Sequence, residues 1–176
     1  MPAEVFETIM RSLDPHLIVV TTAVGEERGG CLVGFHSQSS IDPDRYAVWL
    51  SKANHTYRVG LRATHLAVHF LTTGDRDLAE RFGTLTGDTT DKFAGLAVDV
   101  GPEGVPILRE VPNWLVLRRT ALLDEGGDHV CMALEPVSGS AGGDFEPLRL
   151  SHVGDLPPGH SNEERNHPPT ERAAPG

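Results

Sequence analysis

The chain has 176 residues, 39% of them hydrophobic and 23% charged, with a formal net charge of −10 at pH 7. That is the size and mix of one globular domain with a sizeable core. An acidic balance of this size repels phosphate backbones and anionic lipid, and no apolar run approaches the ~20 residues of a bilayer span, so nucleic-acid and membrane partners are not expected.

Residues 4–13 carry Val5, Phe6, Ile9, Met10 and Leu13 at helical spacing, and Asp14-Pro15 ends that helix. Residues 17–22 are short and β-branched, a strand, and residues 25–30 form a turn before strand character resumes over 31–35. Residues 36–40 read as a polar loop, closed by a turn at Ile41-Asp42-Pro43. A strand follows at 46–50, and Asn54 or Thr56 caps a short helix that runs to Arg62. Residues 66–71 are a strand. Asp75 starts a second amphipathic helix with Leu78, Ala79 and Phe82 on one face, stopped by Gly83. An edge strand is expected at 96–100. The strands 114–123 and 129–134 face each other across a Gly126-Gly127-Asp128 turn, and residues 146–150 end the pattern. Strands that do not alternate with helices point to a mainly β fold, an antiparallel barrel with a few short helices at its rim.

Composition changes near Leu156. We expect residues 1–155 to form the domain and residues 156–176, rich in proline and poor in branched aliphatics, to be a disordered or extended tail. The N-terminus lacks the basic and apolar regions of an export signal, so a cytoplasmic location is expected, with Cys31 and Cys131 as reduced and buried thiols.

Several chemistries leave no trace in the sequence. There is no G-x-G-x-x-G, Walker A, G-x-S-x-G, H-E-x-x-H or C-x-x-C. His65 and His69 are four apart, but on a strand that is about 13 Å, too far to share an ion. They read as a half-exposed strand pair, and no metal is expected.

The informative stretch is 29–56, GGCLVGFHSQSSIDPDRYAVWLSKANHT. A strand runs into a hydroxyl- and amide-rich turn whose backbone N–H groups can form an anion-binding nest, with Ser39 and Ser40 adding hydroxyl donors. Ser51 and Lys52 follow the next strand, and Asn54, His55 and Thr56 stand where a helix begins, a place that attracts phosphate. Two readings stay open on spacing alone: a phosphate and polyol site, or serines that close a turn beside a solvated lysine.

The order of its motifs resembles the flavin reductase-like family. Gly30, Ser40, Asp42, Pro43, Lys52 and Thr56 fall in register with that family's G-x-T-x-[SN]-x-F-x-S-x-S-x-x-P segment and the Lys and Ser/Thr positions beyond it. Residues 78–82 (LAERF) resemble its L-A-x-x-F helix, 91–93 its D-K-F, 105–108 its G-x-P-x-L, 127–129 its G-D-H hairpin and 147–148 its final P-L. The chain departs from the pattern at Leu32, Gly34, His36, Gln38 and Leu150. The resemblance implies an FMN-binding split β-barrel, an antiparallel Greek-key barrel working as a homodimer. It also implies an NAD(P)H-dependent flavin reductase that passes hydride to FMN and serves a partner oxygenase. Alternatives are a protein of the same fold that keeps its FMN or a deazaflavin and reduces another substrate, or a non-enzymatic flavin or haem module.

On that resemblance the flavin's pyrimidine edge meets Leu32, Val33 and Gly34. Its phosphate meets Gln38, Ser39, Ser40, Lys52 and Thr56, with His55 or Asn54 contributing, and Ser51 is a further cofactor-binding residue. Arg81 and Phe82 approach it from the second helix, His36 lines the ribityl chain or a substrate pocket, and His129 meets the nicotinamide.

Overall fold

The computed structural model describes residues 2–154 and 156–157. The chain begins with α1 (Ala3–Ser12), then β1 (Ile18–Val24), β2 (Glu27–Val33), β3 (His36–Ile41) and β4 (Asp44–Ser51). It continues through α2 (His55–Arg62), β5 (His65–Phe70), α3 (Arg76–Thr84), β6 (Val98–Val100) and β7 (Pro106–Leu108). The long hairpin of β8 (Trp114–Leu123) and β9 (His129–Ser140) precedes a last short helix, α4 (Leu150–Val153). Seven strands form one antiparallel sheet in the order β2-β1-β5-β8-β9-β4-β3, and β6 and β7 pair separately.

The two edge strands of the large sheet, β2 and β3, are joined by only Gly34 and Phe35. A two-residue link between opposite edges forces the sheet to curl until they approach. No ladder joins the two edges among the described residues, which makes the barrel split, and Trp49 N donates to Phe35 O at 2.9 Å, carrying the β3–β4 pairing one residue into the link. The mainly β, antiparallel expectation therefore holds.

Two apolar clusters hold the curl. Ile18, Val20, Val33, Val48, Leu50, Val68, Leu117 and Met132 pack inside the barrel. Leu17, Val19, Leu78, Ala79, Phe82 and Phe93 pack outside it, under α3. Successive residues of β1 thus serve different clusters, which is why the strand is apolar throughout rather than alternating.

Helix starts follow their sequence signals. Asn54 Oδ1 accepts from Thr56 N at 3.1 Å and caps α2. Asp75 precedes α3, but its carboxylate turns back to accept from Thr72 N and Thr72 Oγ1 at 2.7 and 2.8 Å. No helix among the described residues is long and apolar enough to cross a membrane.

The structure corrects four expectations. The polar loop expected at 36–40 is strand β3, laddered on one side with β4 and carrying a bulge between Gln38 and Ser40. The α3 helix continues past Gly83 to Thr84. His69 is fully buried, its Nδ1 3.2 Å from Val19 O and its Nε2 accepting from Leu108 N at 3.0 Å, and burial pushes its pKa down to about 4. Cys131, expected as a buried thiol, is only half-buried, because it alternates on β9 with the inward-facing Val130 and Met132. Of the expected tail, Leu156 packs against the outer cluster, and 158–176 lie outside the described residues.

Candidate functional site

A cavity of about 400 Å³ opens where the ends of β2 and β4, the start of α2, the end of α3 and the start of β9 converge. That volume falls in the range of small-molecule and cofactor sites. Leu17, Leu32, Phe35, Trp49, Leu50 and Phe82 give it apolar walls, while Ser51, Asn54, Thr86, Lys92 and His129 supply its polar groups. No aspartate or glutamate is among the described residues that line it.

Lys92 is 4% exposed. Its Nζ donates to Gly30 O at 2.9 Å and Phe82 O at 3.1 Å, and no carboxylate among the described residues lies within ion-pair distance. An ammonium has three donors, so one N–H remains beyond these two bonds. Burial pushes the ammonium's pKa below its ordinary value, because the charge is held with two neutral carbonyls in place of water.

The turn that carries Lys92 is held firmly. Arg81 Nη1 donates to Lys92 O and Ala94 O at 3.2 and 2.7 Å. Asp91 Oδ1 accepts from Phe93 N at 3.0 Å, and Arg28, paired with Asp91, lies 4.7 Å over the Phe93 ring. Gly30 makes room for this packing, since a Cβ there would stand 2.6 Å from Phe82 Cε1.

At the opposite rim His129 Nδ1 lies 2.8 Å from Asp128 Oδ1. A carboxylate only accepts, so Nδ1 carries the proton, and in the neutral ring Nε2 is left as an acceptor. The His129 ring meets Phe35 edge to face, with centroids 5.0 Å apart.

Of the residues expected at a site, the cavity gathers Leu32, Val33, Gly34, Ser51, Phe82 and His129. A Cβ on Gly34 would meet nothing nearer than Leu17 Cδ2 at 3.6 Å, so packing within the chain does not demand glycine there.

The remaining expected residues lie elsewhere. Gln38, Ser39 and Ser40 are on β3 and do not line the cavity, Gln38 Nε2 donating to Ser40 O at 3.1 Å. Lys52 Nζ is paired with Asp124 at 2.9 Å across the β8–β9 hairpin. His55 faces Asp88 and Glu27 at 3.3 and 3.8 Å, in a second and acidic groove. Arg81 is spent on the Lys92 turn. His36 is held by the Tyr46 hydroxyl at 2.6 Å and His16 O at 2.8 Å. Thr56 is buried behind β2.

Lys92, Thr86, Trp49 and Phe35 line the cavity without having been assigned to it from the sequence. Lys92 had one visible signal, the D-K-F match, which carried no role.

The chain is similar to known proteins in both sequence and fold. The flavin reductase like domain family matches residues 10–154. The reductase subunit Stc3 of stachydrine N-demethylase from Rhizobium meliloti (strain 1021) is 28% identical over 138 residues, covering 75% of this chain and 58% of that protein. The chain spans about half the length of the curated relatives it matches. A flavin reductase domain protein from Arthrobacter sp. FB24 superposes with a TM-score of 0.76 at 25% identity, over 86% of this chain and 92% of that one. An FMN-binding protein from Thermus thermophilus with bound 1-cyclohex-2-enone gives 0.66 at 25% identity, over 72% and 70%.

Proposed function

Because the chain belongs to the flavin reductase-like family, we propose that it is an FMN-binding oxidoreductase taking hydride from NADH or NADPH. The observation that carries this reading is an apolar-walled cavity that holds a buried lysine and no carboxylate among the described residues lining it, in a chain of net charge −10. Such a cavity suits a flat ring with an anionic arm. FMN, when bound, supplies the hydride acceptor, and the protein supplies placement and electrostatics.

The residues present fit that group. Leu32, Val33 and Gly34 offer a strand edge to the ring's pyrimidine side, and Phe82 packs beneath it. Ser51, Asn54, Thr86 and Lys92 form the polar end that takes the phosphate, with Lys92 as its charge in place of Lys52. His129, its tautomer fixed by Asp128, presents Nε2 as acceptor to the donor's carboxamide.

We place the protein in the cytoplasm as a homodimer. A ten-residue helix is marginal alone, and α1 leaves Phe6, Ile9 and Leu13 each more than half exposed, a face that a second copy covers. The reduced flavin or its electrons then pass to a partner oxygenase, a role suggested by the reductase-subunit relative. A second reading, retained FMN that reduces a small unsaturated carbonyl compound, is favoured by the Thermus neighbour with its bound cyclohexenone. NADH oxidation with and without added free FMN tests the proposal. Turnover that rises with free FMN supports flavin release, turnover only with an enone acceptor supports the second reading, and no flavin binding at all removes both.

A further inference from the structure

The family pattern puts an aromatic residue at position 36 and leaves position 35 open. This chain has Phe35 and His36 there. The structure gives the exchange a consequence. His36 Nε2 lies 2.8 Å from His16 O, which only accepts, so Nε2 carries the proton and Nδ1 accepts from the Tyr46 hydroxyl at 2.6 Å. Burial holds the ring neutral, its pKa pushed down to about 4. Neighbouring side chains in extended backbone point to opposite sides. With His36 tied inward, Phe35 stands at the cavity mouth, 58% exposed, its carbonyl fixed by Trp49 N.

There Phe35 meets His129 at an interplanar angle of 61° with centroids 5.0 Å apart. Two rings so placed make a corner. A flat ring laid on the face of one meets the edge of the other, the two arrangements aromatic rings prefer. We propose that Phe35 is a specificity-determining residue of this chain: with His129 it seats the nicotinamide ring of the hydride donor at the mouth of the flavin cavity. This rests on the reading of the cavity given above.

The test compares full-length Phe35→Ala, Phe35→Leu and Phe35→Tyr with the wild type, following FMN affinity by fluorescence, kcat and KM for the nicotinamide donor, and mass in solution. One aromatic contact is worth roughly a 2- to 12-fold change. The donor's KM is expected to rise by about that factor in Phe35→Ala and Phe35→Leu and to return in Phe35→Tyr. The FMN Kd is expected to stay within about 2-fold, since the corner lies at the mouth. An unchanged KM, a Phe35→Leu variant equal to wild type, or a halved mass that marks Phe35 as a subunit contact overturns the proposal. A wild-type protein that binds no FMN overturns the functional reading and this inference with it. Wild-type turnover with an unmoved KM in the variants overturns the inference alone.

Discussion

Lys92→Met is the perturbation that most sharply separates a cofactor charge from a structural one. Wild-type Lys92 is 4% exposed, and among the described residues its ammonium bonds only to Gly30 O and Phe82 O. Methionine keeps the apolar stem and removes the charge. Losing donors to two buried carbonyls costs about 1–3 kcal/mol each, but removing a buried, unpaired cation offsets much of that. A net stability change below about 2 kcal/mol is expected, visible as a small fall in Tm. Against a phosphate the loss is one-sided: a hydrogen bond to a charged group is worth about 1.5–3 kcal/mol, or roughly 12- to 150-fold in Kd. Fluorescence titration with FMN and with riboflavin reads the difference. FMN affinity should fall by that factor while riboflavin, which lacks the phosphate, changes by less than about 3-fold. Lys52→Ala is the matched control, because its partner is Asp124 on a partly exposed surface pair, worth about 0–1 kcal/mol. An FMN affinity that survives Lys92→Met refutes the assignment. A parallel loss of riboflavin moves the charge to the ring, and a loss confined to Lys52→Ala restores the other lysine.

Two further outcomes follow from the fold. His69 is neutral in the folded barrel, with a pKa near 4 against 6.5 when unfolded. Its contribution is intact above pH 6.5 and is lost as pH falls from 6.5 to 4, when only the unfolded chain takes the proton, to a total of about 3 kcal/mol. Thermal melts of His69→Gln should show a flatter decline of Tm between pH 7 and 4, and an identical decline would refute this. Ile9→Asp on α1 should convert a two-chain species into single chains by sedimentation without unfolding the barrel, and a wild-type mass of one chain would contradict the proposed dimer.

Local signals in the sequence were enough for much of this architecture. The β-branched run of β1, the Asn54 cap and the β8–β9 hairpin turn are written within a few residues of where they act. Features decided by distant partners were not legible. Ser37 to Ser40 carry no apolar alternation, and only pairing with β4 makes them a strand. Lys52 and Lys92 look alike as lysines. A hairpin 72 residues away gives Lys52 its carboxylate, while carbonyls on β2 and α3 bury Lys92. His69 was misjudged for a related reason, since β1 and β7 cover it from separate parts of the chain. Leu32 and Phe82 of the cavity's apolar wall and Ser51 and His129 of its polar groups are legible in the sequence, whereas its charge needs the fold.

The central claim is that this cavity, with its buried lysine, holds FMN and lets it accept hydride. The most direct measurement is the visible spectrum of the FMN-loaded protein before and after anaerobic NADH or NADPH. The account predicts a perturbed oxidised-flavin spectrum that bleaches on adding the nicotinamide. A flavin spectrum indistinguishable from free FMN, with no thermal shift on FMN addition, or a bound flavin that stays oxidised with both donors, would contradict it.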